Sequence, residues 1–574
     1  MLIATAGHVD HGKSTLVQAL TGMDPDRFAE EKRRGLTIDL GFAWTTLPSG
    51  RDLSFIDVPG HVRFLKNMLA GVGAVQACLF VVAATEGWKP QSEEHLRILE
   101  LLGIDQGVIA LTKVGLVDGD HAALARLDVA DHVAGTALDK AELVAVDAPT
   151  GVGLGALRQA LDRLGPRSGA SDVDRPRLWV DRAFAASGAG TVITGTLTGG
   201  VIRASDELVV VSTATGAARR TRVRGLQSRG EPASELGPGS RCAVNLVGVE
   251  HTTVARGDAV VRAGQWHYTD MVDASLHVLD ALDHDVSRRG AYLAYLGAGE
   301  HPVRMRVLGR AAIAPGGDGA VRLHLPVTLP LTPGDRFVLR ESGRAETVGG
   351  GEVLDVAPVL AAARARPDRS VDRVVSERGW VDVDELALLT GERRPASIGR
   401  WVVGPVALAA AQATARRAVE AAGDLGLDLA SLDERGRLVA GQLDGVVVAG
   451  GRARVADGRD PLAGHPYVEA LEASPFTPPA PDGVARQELT ELVRRGLVVE
   501  QDGLWFAPDA LRAAARVVAG LLAAEPGGVT VATVREALGT SRKYALPILA
   551  YLDATGVTRR RHDLRVAGPR LPEP

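Results

Sequence analysis

Hydrophobic positions in the first part of the chain come in short, nearly unbroken runs separated by polar and glycine-rich segments. Leu2-Ile3-Ala4-Thr5-Ala6, Leu53-Ser54-Phe55-Ile56, Val108-Ile109-Ala110-Leu111 and Leu143-Val144-Ala145-Val146 are the clearest. Runs this short, bounded by turn residues, predict buried strands, and Leu16-Val17-Gln18-Ala19-Leu20 predicts the first turns of a helix. Strands alternating with helices over residues 1–168 predict an α/β domain. Gly165-Pro166-Arg167-Ser168-Gly169 is a linker by composition. Beyond it Trp179-Val180-Asp181-Arg182-Ala183-Phe184 alternates apolar and polar, Ser187-Gly188-Ala189-Gly190 turns, and Thr191–Leu197 returns, the signature of a hairpin. Near the C-terminus, Thr490–Gln501 and Thr540–Arg561 each read as a helix followed by two strands around a glycine turn. Leu492–Val499 has Trp505-Phe506 as its return strand, and Ile548–Thr558 has Leu564-Arg565-Val566. A helix that ends in Gly and leads into a hairpin is the arrangement of a winged helix.

Between the first strand and the first helix lies Gly7-His8-Val9-Asp10-His11-Gly12-Lys13-Ser14, followed by Thr15. It is a full G-x-x-x-x-G-K-[ST] loop in the strand–loop–helix context that the motif requires. In such a loop backbone N–H groups and the helix N-terminus surround the phosphates. Lys13 reaches the outer phosphates and the Ser14 hydroxyl ligates Mg²⁺. Asp57 ends the strand Leu53–Ile56, where a carboxylate faces that ion, and Gly60 lets the backbone approach the γ-phosphate. Thr37 sits in Gly35-Leu36-Thr37-Ile38-Asp39, after the charged run Glu30–Arg34. It fits a loop hydroxyl that joins the Mg²⁺ shell when a triphosphate is bound.

The set GHVDHGKS, RGLTID, DVPGH and LTK resembles the translational GTPases, the elongation-factor family. The resemblance implies GTP as the nucleotide, Ser14 and Thr37 as Mg²⁺ ligands, and Asp57 holding the ion through water. It implies that His61 orients the attacking water when the ribosome triggers hydrolysis, and that Thr112-Lys113 opens the guanine motif N/T-K-x-D. In that motif the Asp accepts hydrogen bonds from the N1–H and exocyclic amine of the base. Here that place holds Gly115, and Asp118, three residues on, is a candidate substitute. A last family motif, S-A-[KAT], appears as Asp147-Ala148-Pro149-Thr150-Gly151, with its first residue changed. The expectation from Gly115 is weaker discrimination of GTP from inosine or xanthosine triphosphate.

The pattern D-R-x-F…G-x-G-T-V-x-T-G beginning at Asp181 resembles the second-domain barrel of elongation factors, and Gly334–Arg340 with Thr347–Gly351 resembles the end of their third-domain barrel. Two β-barrels, 174–262 and 263–358, are therefore expected, and with the first domain they resemble a unit that carries an aminoacyl-tRNA. The segment Leu538–Pro547, containing Ser541-Arg542-Lys543-Tyr544-Ala545, closely resembles the last winged helix of the selenocysteine-specific elongation factors. That resemblance implies winged helices in 361–480 and 481–574. It also implies delivery of selenocysteinyl-tRNA to the ribosome at UGA codons marked by a selenoprotein mRNA hairpin.

Residue chemistry fits those partners. Duplex RNA is gripped through its phosphates and shallow groove by Arg, Lys and aromatic side chains. Arg542, Lys543 and Tyr544 begin a predicted helix, and Arg559-Arg560-Arg561 lies where a wing would start. A selenol is more acidic than a thiol, so its side chain is an anion near neutral pH, and a guanidinium suits it best. Asp181, Arg182 and Arg241 of the second domain are the candidates for that pocket. A second reading stays open, a GTP-binding regulator whose winged helices bind DNA.

Composition narrows the frame. A chain of 574 residues holds about three to six domains. No apolar run approaches the roughly 18–20 residues of a membrane span. Met1 leads directly into the first strand, so no signal peptide is expected. Cys78 and Cys242 fall in different predicted domains and read as buried thiols in a reducing cytoplasm. The net charge of -5 argues against a globally basic nucleic-acid binder, leaving RNA contact to local patches. A monomer without membrane contact is expected.

Overall fold

A computed structural model of the chain describes residues 1–25, 37, 39–60, 67–68, 75–165, 172–186, 188, 190–456 and 462–573. Its first domain is built on strands β1 (Leu2–Ala6), β2 (Gly41–Thr46), β3 (Asp52–Asp57), β4 (Ala77–Ala83), β5 (Gly107–Thr112) and β6 (Glu142–Ala145). The helices are α1 (Lys13–Thr21), α2 (Pro90–Leu101), α3 (Gly119–Val133) and α4 (Leu154–Arg163). The sheet order is β2-β3-β1-β4-β5-β6, parallel except for the edge pair β2–β3. Helices cover both faces, which is why the central strands β1, β4 and β5 are almost wholly apolar. Leu2, Ala4 and Ala6 of β1 enter one core layer with Phe80, Leu96 and Leu99, while Ile3 enters the other with Leu16, Val17, Leu20 and Leu161. Burying each of the Leu, Ile, Val and Phe side chains fully contributes about 1.5–3 kcal/mol. Ligands in open α/β sheets lie beyond the carboxyl ends of the strands, where the strand order reverses. In this sheet that crevice opens beside β1.

The predicted hairpin forms as Arg177–Ala186 paired with Gly190–Thr198. It carries a bulge, since Val180 faces Gly195 and Arg182 faces Thr194, leaving Asp181 as the extra residue. Glu207–Val211 pairs with both Ala259–Arg262 and Ala218–Ser228, which closes this sheet on itself. A closed barrel follows, in the order Tyr268–Val278, Asp318–Pro330, Gly299–Val307, Tyr292–Leu296, Arg336–Glu341 and Glu346–Asp355. Its Tyr295 and Val338 join the α2 side of the first domain's core. Helices Val371–Arg378 and Val383–Thr390, with strands Trp380–Asp382 and Trp401–Val403, end a compact unit of Met1–Gly404.

The second unit, Pro405–Pro574, repeats a helix-and-hairpin theme. Helices Pro405–Ala421 and Glu434–Ala440 accompany the hairpin Val446–Ala449/Arg452–Val455, and Pro466–Ala473 and Arg486–Arg494 accompany Val499–Gln501/Leu504–Phe506. Pro508–Ala524, Val531–Ala537 and Arg542–Ala554 surround a three-stranded sheet of Val529–Thr530, Leu564–Ala567 and Thr558–Arg561. The two helices that feed the last hairpins end alike. Gly496 and Gly556 take positive φ (69° and 77°), and the next N–H, of Leu497 or Val557, donates to Leu492 or Leu552 at 2.9 Å. This Schellman closure turns the chain sharply out of the helix and into the wing.

Candidate nucleotide and RNA sites

The loop between β1 and α1 is shaped by its glycines. Gly7 has φ +122°, and a side chain there would run into the carbonyl of Val81. Gly12 caps α1 at φ +83° with no side-chain hydrogen bond, so the first helical N–H groups face the loop. Lys13 is buried, and its Nζ donates to the carbonyls of Gly7 (3.1 Å) and His8 (2.7 Å). The Thr112 hydroxyl donates to His11 O at 2.7 Å and ties the end of β5 to the loop.

Two residues of α2 that the sequence analysis did not single out hold the loop from behind. His95 Nδ1 accepts from Gly7 N–H at 3.1 Å, and Gln91 Oε1 accepts from Val9 N–H at 3.3 Å. They stand four apart, on one face of the helix. Burial pushes the pKa of His95 down to about 3, and it does the same to His11, whose Nδ1 lies 3.3 Å from Val81 O. A neutral imidazole with its proton on Nε2 is what lets His95 accept.

Three oxygen side chains converge beneath the loop. Ser14 Oγ lies 2.7 Å from Asp57 Oδ2 and 2.8 Å from Thr37 Oγ1. Because Ser14 donates its single proton to Asp57, Thr37 is the donor of the second bond. Thr5 Oγ1 donates to Asp57 Oδ1 at 2.8 Å and accepts from Val58 N–H at 3.0 Å, which fixes the buried carboxylate. Two hydroxyls and a carboxylate form the hard oxygen set that Mg²⁺ takes. Gly60 approaches so closely that an added Cβ would lie 2.7 Å from Val9 Cα. His61 lies outside the described residues.

A cavity of about 730 Å³ opens beside the loop, lined by Gly12, Thr15, Thr112, Lys113, Gly115, Leu116, Asp147, Pro149 and Thr150. Lys113 holds a left-handed backbone at φ 57°, and its Nζ is 3.7 Å from Glu86. Asp118, the candidate substitute, is not brought there. It caps α3, accepting from His121 N–H at 2.9 Å, and its side chain is 67% exposed.

In the second domain Arg182 and Arg241 line one small cavity, and Asp181 stands behind it as the partner of Arg241. Arg241 makes a forked ion pair with Asp181, which also accepts from Thr194 Oγ1 at 2.7 Å. The Arg241 guanidinium lies 3.9 Å from the Phe42 ring centre. Arg182 and Arg241, with Phe42, Trp44, Thr194 and Cys242, line a cavity of about 160 Å³. Arg182 reaches Asp39 Oδ2 at 3.3 Å, and Arg256 donates to Asp39 Oδ1 at 2.6 Å and to Asn67 Oδ1 at 2.6 Å. Burial alone would raise the Asp39 pKa, but the hydrogen bond and charge of Arg256 outweigh it and hold the group below the usual carboxylate value.

In the second unit Arg542 is the first residue of its helix, and Lys543 Nζ sits 5.3 Å from the Tyr544 ring centre. Arg559, Arg560 and Arg561 are exposed on the strand Thr558–Arg561. Among the described residues none of these five cations pairs with a carboxylate, whereas the nearby Arg565 is buried against Asp553 at 2.8 Å. Cys78 and Cys242 are both buried, which raises each thiol to about 12. No helix among the described residues is long and apolar enough to cross a membrane.

Residues 1–167 match the family model of the elongation factor Tu GTP-binding domain, and residues 521–567 match that of the winged helix of elongation factor SelB. The chain is 38% identical to the selenocysteine-specific elongation factor of Desulfomicrobium baculatum over 359 residues, 62% of this chain and 56% of that protein. It is 32% identical to elongation factor Tu 2 of Streptomyces avermitilis over 388 residues, 62% of this chain and 96% of that protein. A crystal structure of a bacterial selenocysteine-specific elongation factor is similar over 99% of both chains, with a TM-score of 0.71 and 25% sequence identity. The chain spans 55 to 62% of the length of the selenocysteine-specific relatives it matches in sequence.

Proposed function

Because the chain belongs to the elongation factor Tu family of translational GTPases, we propose that it delivers selenocysteinyl-tRNA to the ribosome at UGA codons marked by an mRNA hairpin, hydrolysing GTP as it does so. The observation that carries this reading is the union, in one chain, of the Ser14–Thr37–Asp57 oxygen set and the winged helix of residues 521–567. The loop from Gly7 to Ser14 holds the phosphates, with Lys13 leaving the carbonyls of Gly7 and His8 for the outer phosphates. Ser14 and Thr37 would hold Mg²⁺ directly, and Asp57 through water. When bound, the ion neutralises charge that develops on the phosphates. His61 orients the attacking water. Arg182 and Arg241 receive the selenolate of the amino acid. Arg542, Lys543 and Tyr544, with Arg559–Arg561, grip the hairpin phosphates, and the place of action is the cytoplasm.

The test measures GTP turnover with ribosomes, selenocysteinyl-tRNA and the hairpin present. Turnover should be slow for the chain alone and accelerated on the ribosome. His61→Ala should keep nucleotide and tRNA binding and lose most of the acceleration. A chain that binds duplex DNA tightly and ignores both tRNA and hairpin RNA would overturn the proposal in favour of a DNA-binding regulator.

A further inference from the structure

Gly115 stands where the guanine motif has its base-reading carboxylate, yet the space beside Gly115 is not empty of charge. A Cβ built on Gly115 would lie 2.9 Å from Asp147 Oδ2, 3.0 Å from its Cγ and 3.3 Å from Oδ1. A carboxylate from another loop thus sits where the side chain of residue 115 would begin. Strand pairing brings it there. β5 and β6 run parallel with Leu111 beside Ala145, and Val146 N–H donates to Leu111 O at 2.8 Å. The loops that leave the two strand ends therefore travel side by side.

Asp147 is held firmly. Its N–H donates to Val152 O and its carbonyl accepts from Gly151 N–H, both at 2.9 Å. Thr150 Oγ1 donates to Oδ2 at 2.6 Å, and the residue is 7% exposed on the wall of the 730 Å³ cavity. An ionised carboxylate offers about four lone-pair sites, and Thr150 uses one. Guanine presents two adjacent donors, N1–H and the 2-amine, which a carboxylate accepts as a pair. Adenine has no such pair on that edge, inosine lacks the amine, and xanthine has a carbonyl in its place.

We infer that Asp147 is the specificity residue of this nucleotide site, reading the guanine edge in place of the side chain missing at Gly115. The inference rests on the guanine-nucleotide reading above and replaces Asp118 as the substitute. It also makes Gly115 a requirement, since a side chain there would displace the carboxylate. Discrimination should accordingly be strict, not relaxed as the missing Asp suggested.

The experiment is competition of GTP, inosine, xanthosine and adenosine triphosphates against a fluorescent guanine nucleotide on the full chain. The wild type should prefer GTP to the xanthosine form by roughly a hundredfold or more. In Asp147→Asn the amide keeps one acceptor for N1–H and turns a donor toward the 2-position. It should weaken GTP by about a hundredfold and reverse the preference toward the xanthosine form. Asp118→Asn should leave both unchanged. If Asp147→Asn binds no nucleotide at all, Asp147→Ser decides, with and without Gly115→Asp. Restored GTP preference in the double variant supports the assignment, and its absence overturns it. A strict wild type with Asp147→Asn unaltered, or with Asp118→Asn reversed, overturns the assignment alone. A wild type that takes ATP as readily as GTP overturns the guanine reading with it.

Discussion

Lowering the pH to 5 should loosen the first domain by a predictable amount, because its phosphate loop leans on imidazoles that cannot be protonated in place. His95 and His11 are 1% and 0% exposed, and burial holds both near a pKa of about 3. In the unfolded chain each titrates at about 6.5. Above that value both states are neutral and nothing is lost. Between about 6.5 and 3 the unfolded chain binds protons that the folded one refuses, so stability falls as pH falls. At pH 5 the loss is set by the unfolded value, since the folded groups are still neutral. It amounts to roughly 1.5 units at 1.4 kcal/mol each, or about 2 kcal/mol per histidine and about 4 kcal/mol for the two. Against a typical domain stability of about 5–15 kcal/mol this is a large fraction, and pH 5 is still above the ordinary carboxylate range. Hydrogen exchange read by mass spectrometry on peptides within residues 1–25, corrected for intrinsic rates, measures it. Protection of the β1 amides should fall by about 4 kcal/mol from pH 7.5 to 5. In His95→Gln, where an amide oxygen can accept from Gly7 N–H without titrating, the fall should be about 2 kcal/mol. Equal falls in the two proteins would refute the reasoning.

Two further outcomes follow from the other sites. Arg241→Ala strands Asp181 in a buried position and should destabilise the second domain by about 3 kcal/mol, as read by thermal unfolding. Adding Asp181→Asn should recover most of that, while the preference for selenocysteinyl- over seryl-tRNA stays lost. Retention of that preference in the double variant would remove Arg241 from the pocket. Replacing Arg542 and Lys543 with Ala should flatten the log–log salt dependence of hairpin binding by about one to two units. Filter titration at several salt concentrations measures it, and an unchanged slope would place the phosphate contacts elsewhere.

The parts of the molecule that were legible in the chain are those whose structure is decided locally. β1 and β5 were visible because they are buried on both faces and nearly every position is apolar, and β3 and β6 because their inner residues Leu53, Phe55, Ile56, Leu143 and Val144 reach both core layers. The last two hairpins were visible because a single Gly closes the helix before each. Ser14, Thr37 and Asp57 were placed as one group from their motifs, and they meet within hydrogen-bonding distance. What escaped was decided across space. Asp147 is 32 residues from Gly115 in the chain and meets it only through the register of β5 on β6. Gln91 and His95 carry no motif, and only the packing of α2 behind the loop gives them a role. Asp118 looked available because it follows Gly115 closely, but the start of α3 uses it as a cap. Within 361–480, where winged helices were expected from resemblance alone, the strands carry no mark in the sequence for a physical reason. The hairpin strand Val446–Ala449 is mostly exposed, so no alternation of buried and open positions marks it.

The carboxylate beside Gly115 constrains how such a pocket can arise by descent. From a chain with Asp at position 115 and Ser at 147, two single changes lead to the present pair. Gaining the acid at 147 first crowds two like charges against one another, with the new carboxylate about 3 Å from the Cβ of the old residue. Losing the acid at 115 first leaves guanine with no carboxylate partner. Each intermediate is worse than either end, so once made the exchange is hard to reverse one step at a time. Surveys that look for Asp in the N/T-K-x-D position alone would pass over chains of this kind, and pairing that position with the first residue of the S-A-[KAT] motif would recover them.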